Sequence, residues 1–562
     1  MPVEIEKNTE FKPFENIGLC FSGGGYRATF FALGVLSYLD HVSYKNKPLL
    51  EMVKALSTVS GGTLTGVGYA KAVQEPDYDF KAFFKRFYNT FTPENDILLE
   101  TAISKLEDDA VWKDNPYKKR SLINAFALTY AEMPLFEGSF ENFKGDDIKQ
   151  LEQVCFNATD FSFGLSYRFQ NKGYFGNNPL YKENQKEINA LRNKVKLGDV
   201  IASSSCFPVG FEPLVFPDDY FENHNDPDYK NLKELDRFID GVGIMDGGIA
   251  DNQGIGSMML INDRIENGLD LIIVNDVGSY KMTPWQQDTT TIGKSFTIKH
   301  ATNKILQYFT IKPLYWITLL LGLGIILLNN MLVFGSAAYT GLYIFGSALM
   351  GIGLLLTIFG LVAFVIKASV LSRLKTLFKK NVPEALLDDV LTFQKLDISL
   401  IQRMLTERFT SAMVMINDVF LKQLRRLNYD LFYSKVELTN KRITTTVYKL
   451  NGQKTPYSAT NYNKAITPSP SKNLKSVSLT ASETPTTLWW DKTDIAKNRM
   501  ETLIACGQFT VCYELMDYIL KLKADKDNQI NDFTQIDTLY NALEADWKSF
   551  NKKPLWLLDA LV

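Results

Sequence analysis

Two short segments near the N-terminus carry the residue types that could do acyl-transfer chemistry. Thr58-Val59-Ser60-Gly61-Gly62 follows the apolar run Val53-Lys54-Ala55-Leu56-Ser57. It has the form of a nucleophile elbow, with Thr58 at the first glycine position of G-x-S-x-G. Such a turn needs small residues two before and two after the serine, because strand and helix cross closely there. It lifts the Ser60 hydroxyl clear of the backbone at a helix N-terminus. About thirty residues earlier, Phe21-Ser22-Gly23-Gly24-Gly25-Tyr26-Arg27 follows Ile17-Gly18-Leu19-Cys20. Its run of glycine N–H groups is what an oxyanion hole requires, with Gly61 N–H as a further donor.

A nucleophilic serine needs a base. The chain has three histidines, His41, His224 and His300, none in a context that suggests a catalytic loop. Met245-Asp246-Gly247-Gly248-Ile249 does suggest one. It places a carboxylate before two glycines, just after Phe238-Ile239-Asp240-Gly241-Val242. Asp246 could take the hydroxyl proton of Ser60 directly, with no histidine between them.

Taken singly, each segment has a blander reading. Ser60 would be a helix N-cap, Asp246-Gly247 a turn and Arg27 a solvated charge. Gly23-x-Gly25-x-x-Ala28 nearly matches a dinucleotide loop. The next strand, however, ends in Ser57-Thr58-Val59-Ser60 with no carboxylate for a ribose. No Gly-Lys-Ser/Thr follows the glycines, which excludes a P-loop.

Together and in this order, the segments resemble the patatin-like phospholipases. Gly23-Gly24-Gly25-Tyr26-Arg27 is similar to the family's G-G-G-x-R/K oxyanion motif, Thr58 to Gly62 to its elbow, and Asp246-Gly247-Gly248 to its catalytic D-G-G/A turn. Ala202-Ser203-Ser204-Ser205-Cys206-Phe207-Pro208 looks like the A-S-x-x-x-P segment ahead of the aspartate, with Ser203 at the alanine position when Pro208 is aligned. The similarity spans roughly residues 14–280. Thr58 departs from the commonest glycine; a β-branched residue fits there if the position is extended and not at positive φ. The resemblance implies a lipid acyl hydrolase with a Ser60–Asp246 dyad and an acyl-enzyme. It also implies oxyanion donors from Gly23, Gly24, Gly25 and Gly61, and an Arg27 that contacts a substrate headgroup or supports the loop. No metal or cofactor is required. An acyltransferase or neutral-lipid lipase would use the same dyad. A non-catalytic membrane scaffold on the same fold would lack the serine or the aspartate, and both are present. Nothing in the sequence argues for an effector controlled by another protein.

These residues must be positioned by strands and helices. Val154–Asp160 reads as a central strand and its turn, Ser166–Gln170 as a hairpin partner, and Gly256–Glu266 as a helix. Leu271–Asp276 is an apolar run ending in polar residues, typical of a buried parallel strand. Alternating strands and helices predict an α/β fold, a three-layer patatin-like sandwich with a mostly parallel central sheet. The catalytic core is expected over 10–290.

A second feature interrupts that fold. Pro313 to Ile366 contains no Asp, Glu, Lys, Arg or His over 54 residues. A spanning helix needs about 20 apolar residues, so a transmembrane hairpin is expected, with spans near Leu314–Phe334 and Gly341–Ile366; the blander reading is a buried core hairpin in a soluble protein, but soluble helices normally keep a polar face. Asn329-Asn330 would be costly in hydrocarbon unless bonded across the hairpin, which moves the turn toward them. Gly322, Gly324, Gly346, Gly351 and Gly353 allow close helix approach. Lys299, His300, Lys304 and Lys312 precede the hairpin; Lys367, Arg373, Lys375, Lys379 and Lys380 follow it. The positive-inside rule then puts both ends on the cytoplasmic side, and the basic flanks favour an anionic lipid surface.

The rest, 367–562, is expected to be mainly helical and to pack back on the core. Residues 384–430 are periodic and helical, and Lys441–Tyr448 alternates as a strand. Gly452 to Thr487 is rich in Thr, Ser, Pro, Asn and Lys and is expected to be a mobile loop. Ile495–Leu522 reads as a helix pair, and Met500 to Gly507 resembles a late patatin-family helix. A net charge of −2 gives no bulk field for nucleic acid. The five cysteines form no CxxC pair, which fits a reducing compartment. The opening Met-Pro-Val-Glu-Ile-Glu-Lys has no apolar core, so no secretory signal is expected.

Overall fold

The computed structural model describes residues 11–143, 150–177, 184–208, 210–278, 312–381, 397–453, 462–525 and 530–562. Expectations for Lys299, His300, Lys304, residues 384–396 and residues 454–461 lie outside them. The chain forms two units: Met1–Thr283 with Ile416–Val562, and an insert, Pro284–Met415.

The larger unit is built on a mixed sheet. Its strands are β1 (Ile17–Phe21), β4 (Val53–Val59), β5 (Gln153–Asp160), β6 (Leu165–Gln170), β7 (Leu214–Phe216), β8 (Val242–Asp246), β9 (Leu271–Asp276) and β10 (Arg442–Thr446). A separate two-residue pair, β2 (Ser43–Tyr44) and β3 (Lys47–Pro48), lies between β1 and β4 in sequence. The order is β10-β9-β1-β4-β5-β8-β7, with β6 paired to β5. The first five strands run parallel; β6, β7 and β8 are antiparallel to their neighbours.

The strands are apolar on both faces because helices cover both. Leu19, Phe21, Leu56, Phe156 and Ile273 point into one core. Helices α1 (Gly25–His41), α2 (Gly61–Val73) and Arg499–Ala524 close that side. The alternate residues Cys20, Ala55, Cys155, Ile272 and Val274 enter a second core, against the helices Ile255–Asn262 and Leu421–Ser434. This is the expected three-layer arrangement. All five cysteines are buried free thiols.

The C-terminal part is woven into this unit. β10 extends the sheet beyond β9. Arg499–Ala524 crosses α1 so closely that a Cβ on Gly507 would stand 3.0 Å from Val35 N, and one on Gly34 would meet the Ile504 backbone. The expected loop from Gly452 to Thr487 contains a helix, Lys472–Ser482. Ser471 caps it, accepting from Leu474 N, and it buries Leu474, Ser478 and Ala481. Its polar composition belongs to the outward face.

In the insert, helices Pro313–Asn330 and Thr340–Asn381 form a hairpin. The first stops at Asn330 and not at Phe334. Asn329 explains the stop: its carboxamide donates to Tyr339 O at 2.9 Å and accepts from Tyr339 N at 3.0 Å. Tyr343 Oη donates to Asn330 Oδ1 at 3.0 Å. The helices touch at glycines: a Cβ on Gly353 would stand 2.8 Å from Leu319 Cα, and one on Gly346 would stand 3.1 Å from Gly322 O. Pro313–Asn330 and Thr340–Val365 are long and apolar enough to cross a membrane, with mean hydropathy 1.5 and 2.5. Arg499–Ala524 also meets that criterion but is core, 94 % buried over its most apolar window.

Candidate active site

Strand β5 brings the two ends of the site together. Along one edge it pairs first with β4, parallel, and then with β8, antiparallel; β6 takes the other edge. The ends of β4 and β8 therefore run toward each other. Val59 pairs with Asn157 and Asp246 pairs with Ala158, which are consecutive residues. Ser60, one step beyond Val59, meets Asp246 head to head.

Ser60 holds the strained geometry of an elbow, with φ 51° and ψ −124°. Its side chain lies beside the Asp246 carboxylate and favours the ionised form. Burial raises Asp246 from an ordinary 3.8 to about 6, opposed by hydrogen bonds from Gly248 N and the Ser60 hydroxyl. Gly248 N donates to Asp246 Oδ1 at 2.6 Å. The Asp246 backbone is fixed as well: its N–H donates to Cys206 O at 2.9 Å, and its carbonyl accepts from Thr159 Oγ1 at 2.7 Å.

A chain of hydroxyls supports the elbow. Ser204 Oγ donates to Asn157 O at 2.6 Å and accepts from Ser60 N at 2.8 Å. Its proton is thereby used, so Thr63 Oγ1, 2.8 Å away, donates to it. Thr58 Oγ1 in turn donates to Thr63 at 3.0 Å. The segment 202–208 thus holds both Ser60 and Asp246, through Ser204 and Cys206. Asn157 Nδ2 donates to Thr58 O and Ser57 Oγ at 2.9 and 3.0 Å. Thr58 itself is extended within β4. Its γ-methyl is accommodated because α2 presents Gly66, where a Cβ would stand only 2.5 Å from Thr58 Cγ2.

The glycine loop packs against the same turn. Gly24 and Gly25 have φ of 144° and 54°, a path closed to most side chains. A Cβ on Gly61 would stand 2.6 Å from Gly25 N, and one on Gly62 2.7 Å from Ser22 O. The N-termini of α1 and α2, at Gly25 and Gly61, converge here and favour negative charge. Gly23 differs from expectation, because its N–H is donated to Asn252 O at 2.9 Å. Among the described residues, the N–H groups of Gly24, Gly25 and Gly61 have no acceptor.

Arg27 is bonded to the C-terminal part of the chain. Its Nη1 donates to Thr484 O at 3.0 Å and Ser482 O at 3.4 Å, and burial together with nearby Arg425 lowers it to about 10. Of the two expected roles, this geometry is that of loop support. Tyr26 N donates to Thr487 O at 2.8 Å, so residues 482–487 form a strap along the start of α1. Nothing in that Ser/Thr-rich stretch marked it in the sequence. Asn157, Ser204 and Asn252 were also missed as site neighbours; only Ser204 lay in a motif. His41 Nε2 sits 3.3 Å from Asp546 Oδ2, and His224 stacks on Tyr229 with ring centroids 4.4 Å apart. His300 lies outside the described residues. Among the described residues no group of three His, Cys, Asp or Glu is arranged to hold a metal ion.

Comparison with family models matches residues 19–259 to the one described as Patatin-like phospholipase. No curated protein matches the chain.

Proposed function

The chain carries a patatin-like phospholipase domain over residues 19–259, and from this premise we propose that it is a membrane-anchored serine lipid acyl hydrolase of the phospholipase A type. One observation carries the reading: β4 and β8 end on consecutive residues of β5, which sets the Ser60 turn beside Asp246. Asp246 accepts the proton as Ser60 Oγ attacks an acyl ester carbonyl. The tetrahedral oxyanion is held by N–H groups of Gly24, Gly25 and Gly61, each worth about 3 kcal/mol in the transition state. The alcohol leaves with the proton, and water then hydrolyses the acyl-enzyme. Arg27 braces the glycine loop through the strap.

The insert supplies the anchor in this reading. Its two apolar helices cross the bilayer as a hairpin, with both termini and the catalytic unit on the cytoplasmic side. The basic residues beside the hairpin engage anionic headgroups. Tethering to the bilayer raises the local concentration of the acyl lipid substrate.

The test uses the full chain in phospholipid vesicles. A fluorophosphonate probe is expected to label the wild type and not Ser60→Ala, and lysolipid with free fatty acid is expected to accumulate only with wild type. Labelling of Ser60→Ala, or turnover by Asp246→Asn near wild type, overturns the dyad. Transfer of the acyl group to an added alcohol in preference to water replaces hydrolase by acyltransferase.

A further inference from the structure

Asn252 lies at the seam between the two halves of the site. Its backbone carbonyl takes the Gly23 N–H at 2.9 Å and so pins the glycine loop to the turn after Asp246. Its side chain occupies space kept free by two glycines. A Cβ on Gly248 would stand 2.8 Å from Asn252 Oδ1 and 2.9 Å from Asp246 Oδ1. A Cβ on Gly23 would collide with that same Oδ1 and stand 3.1 Å from Ser60 Cβ. The carboxamide oxygen is therefore a close neighbour of both the serine and the aspartate. Asp246 is 6 % exposed and Ser60 8 %, whereas Asn252 is half-buried.

The two half-reactions make different demands here. In acylation, Ser60 carries the only proton that must move, and the Asp246 carboxylate already lies beside it. In deacylation the nucleophile is a water molecule with no covalent tie to the protein. It has two protons, and its lone pair must aim at the acyl carbon. One acceptor leaves it free to rotate; a second acceptor fixes it.

We propose that Asn252 positions the deacylating water, its carboxamide oxygen accepting one water proton while Asp246 accepts the other. Asp246 takes its proton as the water oxygen bonds to the acyl carbon. The tetrahedral intermediate then expels Ser60 Oγ, to which Asp246 returns the proton, and the fatty acid departs. Because this rests on the Ser60 acyl-enzyme read above, the two must fail separately.

The experiment uses the full chain, a short-chain nitrophenyl ester, and the variants Asn252→Ala and Asn252→Ser. Both keep the backbone carbonyl that holds Gly23. Rates of fluorophosphonate labelling within threefold of wild type are expected, reporting intact folding and acylation. Asn252→Ala should release a stoichiometric burst of nitrophenolate and then turn over at least tenfold more slowly than wild type. Added hydroxylamine, a nucleophile that needs no such orientation, should restore its steady-state rate. Asn252→Ser, which keeps an accepting oxygen, should recover part of the loss. Burst and steady state falling together in both variants would make Asn252 structural and overturn the proposal, as would unchanged turnover in Asn252→Ala. A wild-type chain that Ser60→Ala fails to silence would instead remove the acyl-enzyme itself.

Discussion

At the residue scale, Asp246 is the group whose environment opposes its own ionisation. It is buried, with Gly248 N as a hydrogen-bond donor, and burial raises its carboxyl to about 6. A base must be ionised, so kcat/KM is expected to rise with pH through about 6 and level off above it. The same shift acts on stability. Between about pH 4 and 6 the folded state holds a proton that the unfolded state has released, so stability falls as pH rises through this window. Above it, the ionised carboxylate disfavours folding by about 3 kcal/mol. Asp246→Asn is therefore expected to abolish turnover and to raise Tm at pH 7.5, with the gain vanishing below pH 4. A Tm difference independent of pH would show that the carboxylate is not under this burden. Ser60, Asp246 and the glycines near them stood out as candidates because small residues and a carboxylate in fixed order leave few other uses. Asn252, Asn157 and Ser204 did not, since a single amide or hydroxyl carries no period and no spacing of its own.

At the element scale, the site depends on how tightly α2 crosses β4. Thr58 stands where the family usually has glycine, and the space for its methyl comes from the opposite partner, Gly66. Gly66→Ala is expected to cost about 1–3 kcal/mol by overpacking. Thr58→Ser removes the γ-methyl but keeps the hydroxyl that bonds Thr63, so it should relieve most of that cost when combined with Gly66→Ala. Chemical denaturation of the two single variants and the double variant measures the coupling; additive losses would mean the methyl and Gly66 do not compete. Strands β5 and β9 were readable as apolar runs bounded by polar turns. The helix Lys472–Ser482 was not. Only Leu474, Ser478 and Ala481 of it are fully buried, and the surrounding Ser, Thr and Lys match a solvated linker equally well.

At the scale of the whole molecule, the chain leaves the catalytic unit after β9 and returns through Leu421–Ser434. Asp276 and Arg425 tie the two stems: Arg425 Nε donates to Asp276 Oδ2 at 2.8 Å, with both side chains almost fully buried. Tyr429 Oη donates to the same oxygen at 2.7 Å. The stems are adjacent, so the intervening segment is a true insertion. Replacing residues 284–415 with a flexible linker is expected to leave hydrolysis of soluble esters within a few-fold of the full chain and to lower action on vesicles at least tenfold. The full chain should resist alkaline carbonate, and labels at either terminus should report the side opposite to one at Tyr339. Equal loss of both activities in a folded linker variant would make the insert part of the active site. The absence of charge over 54 residues made the hairpin legible; its turn was settled by Asn329, whose hydrogen bonds no hydropathy pattern contains.

The place of β10 and of Arg499–Ala524 has a consequence for how this protein comes into being at the ribosome. The glycine loop, the elbow and the aspartate are all made within the first half of the chain. Yet β9 lacks its outer neighbour, and α1 lacks its cover, until residues 442–446 and 499–524 have emerged. Chains fold as they are synthesised, from the N-terminus onward. The apolar hairpin is therefore translated before β10 can complete the sheet and before the strap can hold the start of α1. Order of synthesis thus places the apolar hairpin ahead of the elements that complete the sheet and cover α1.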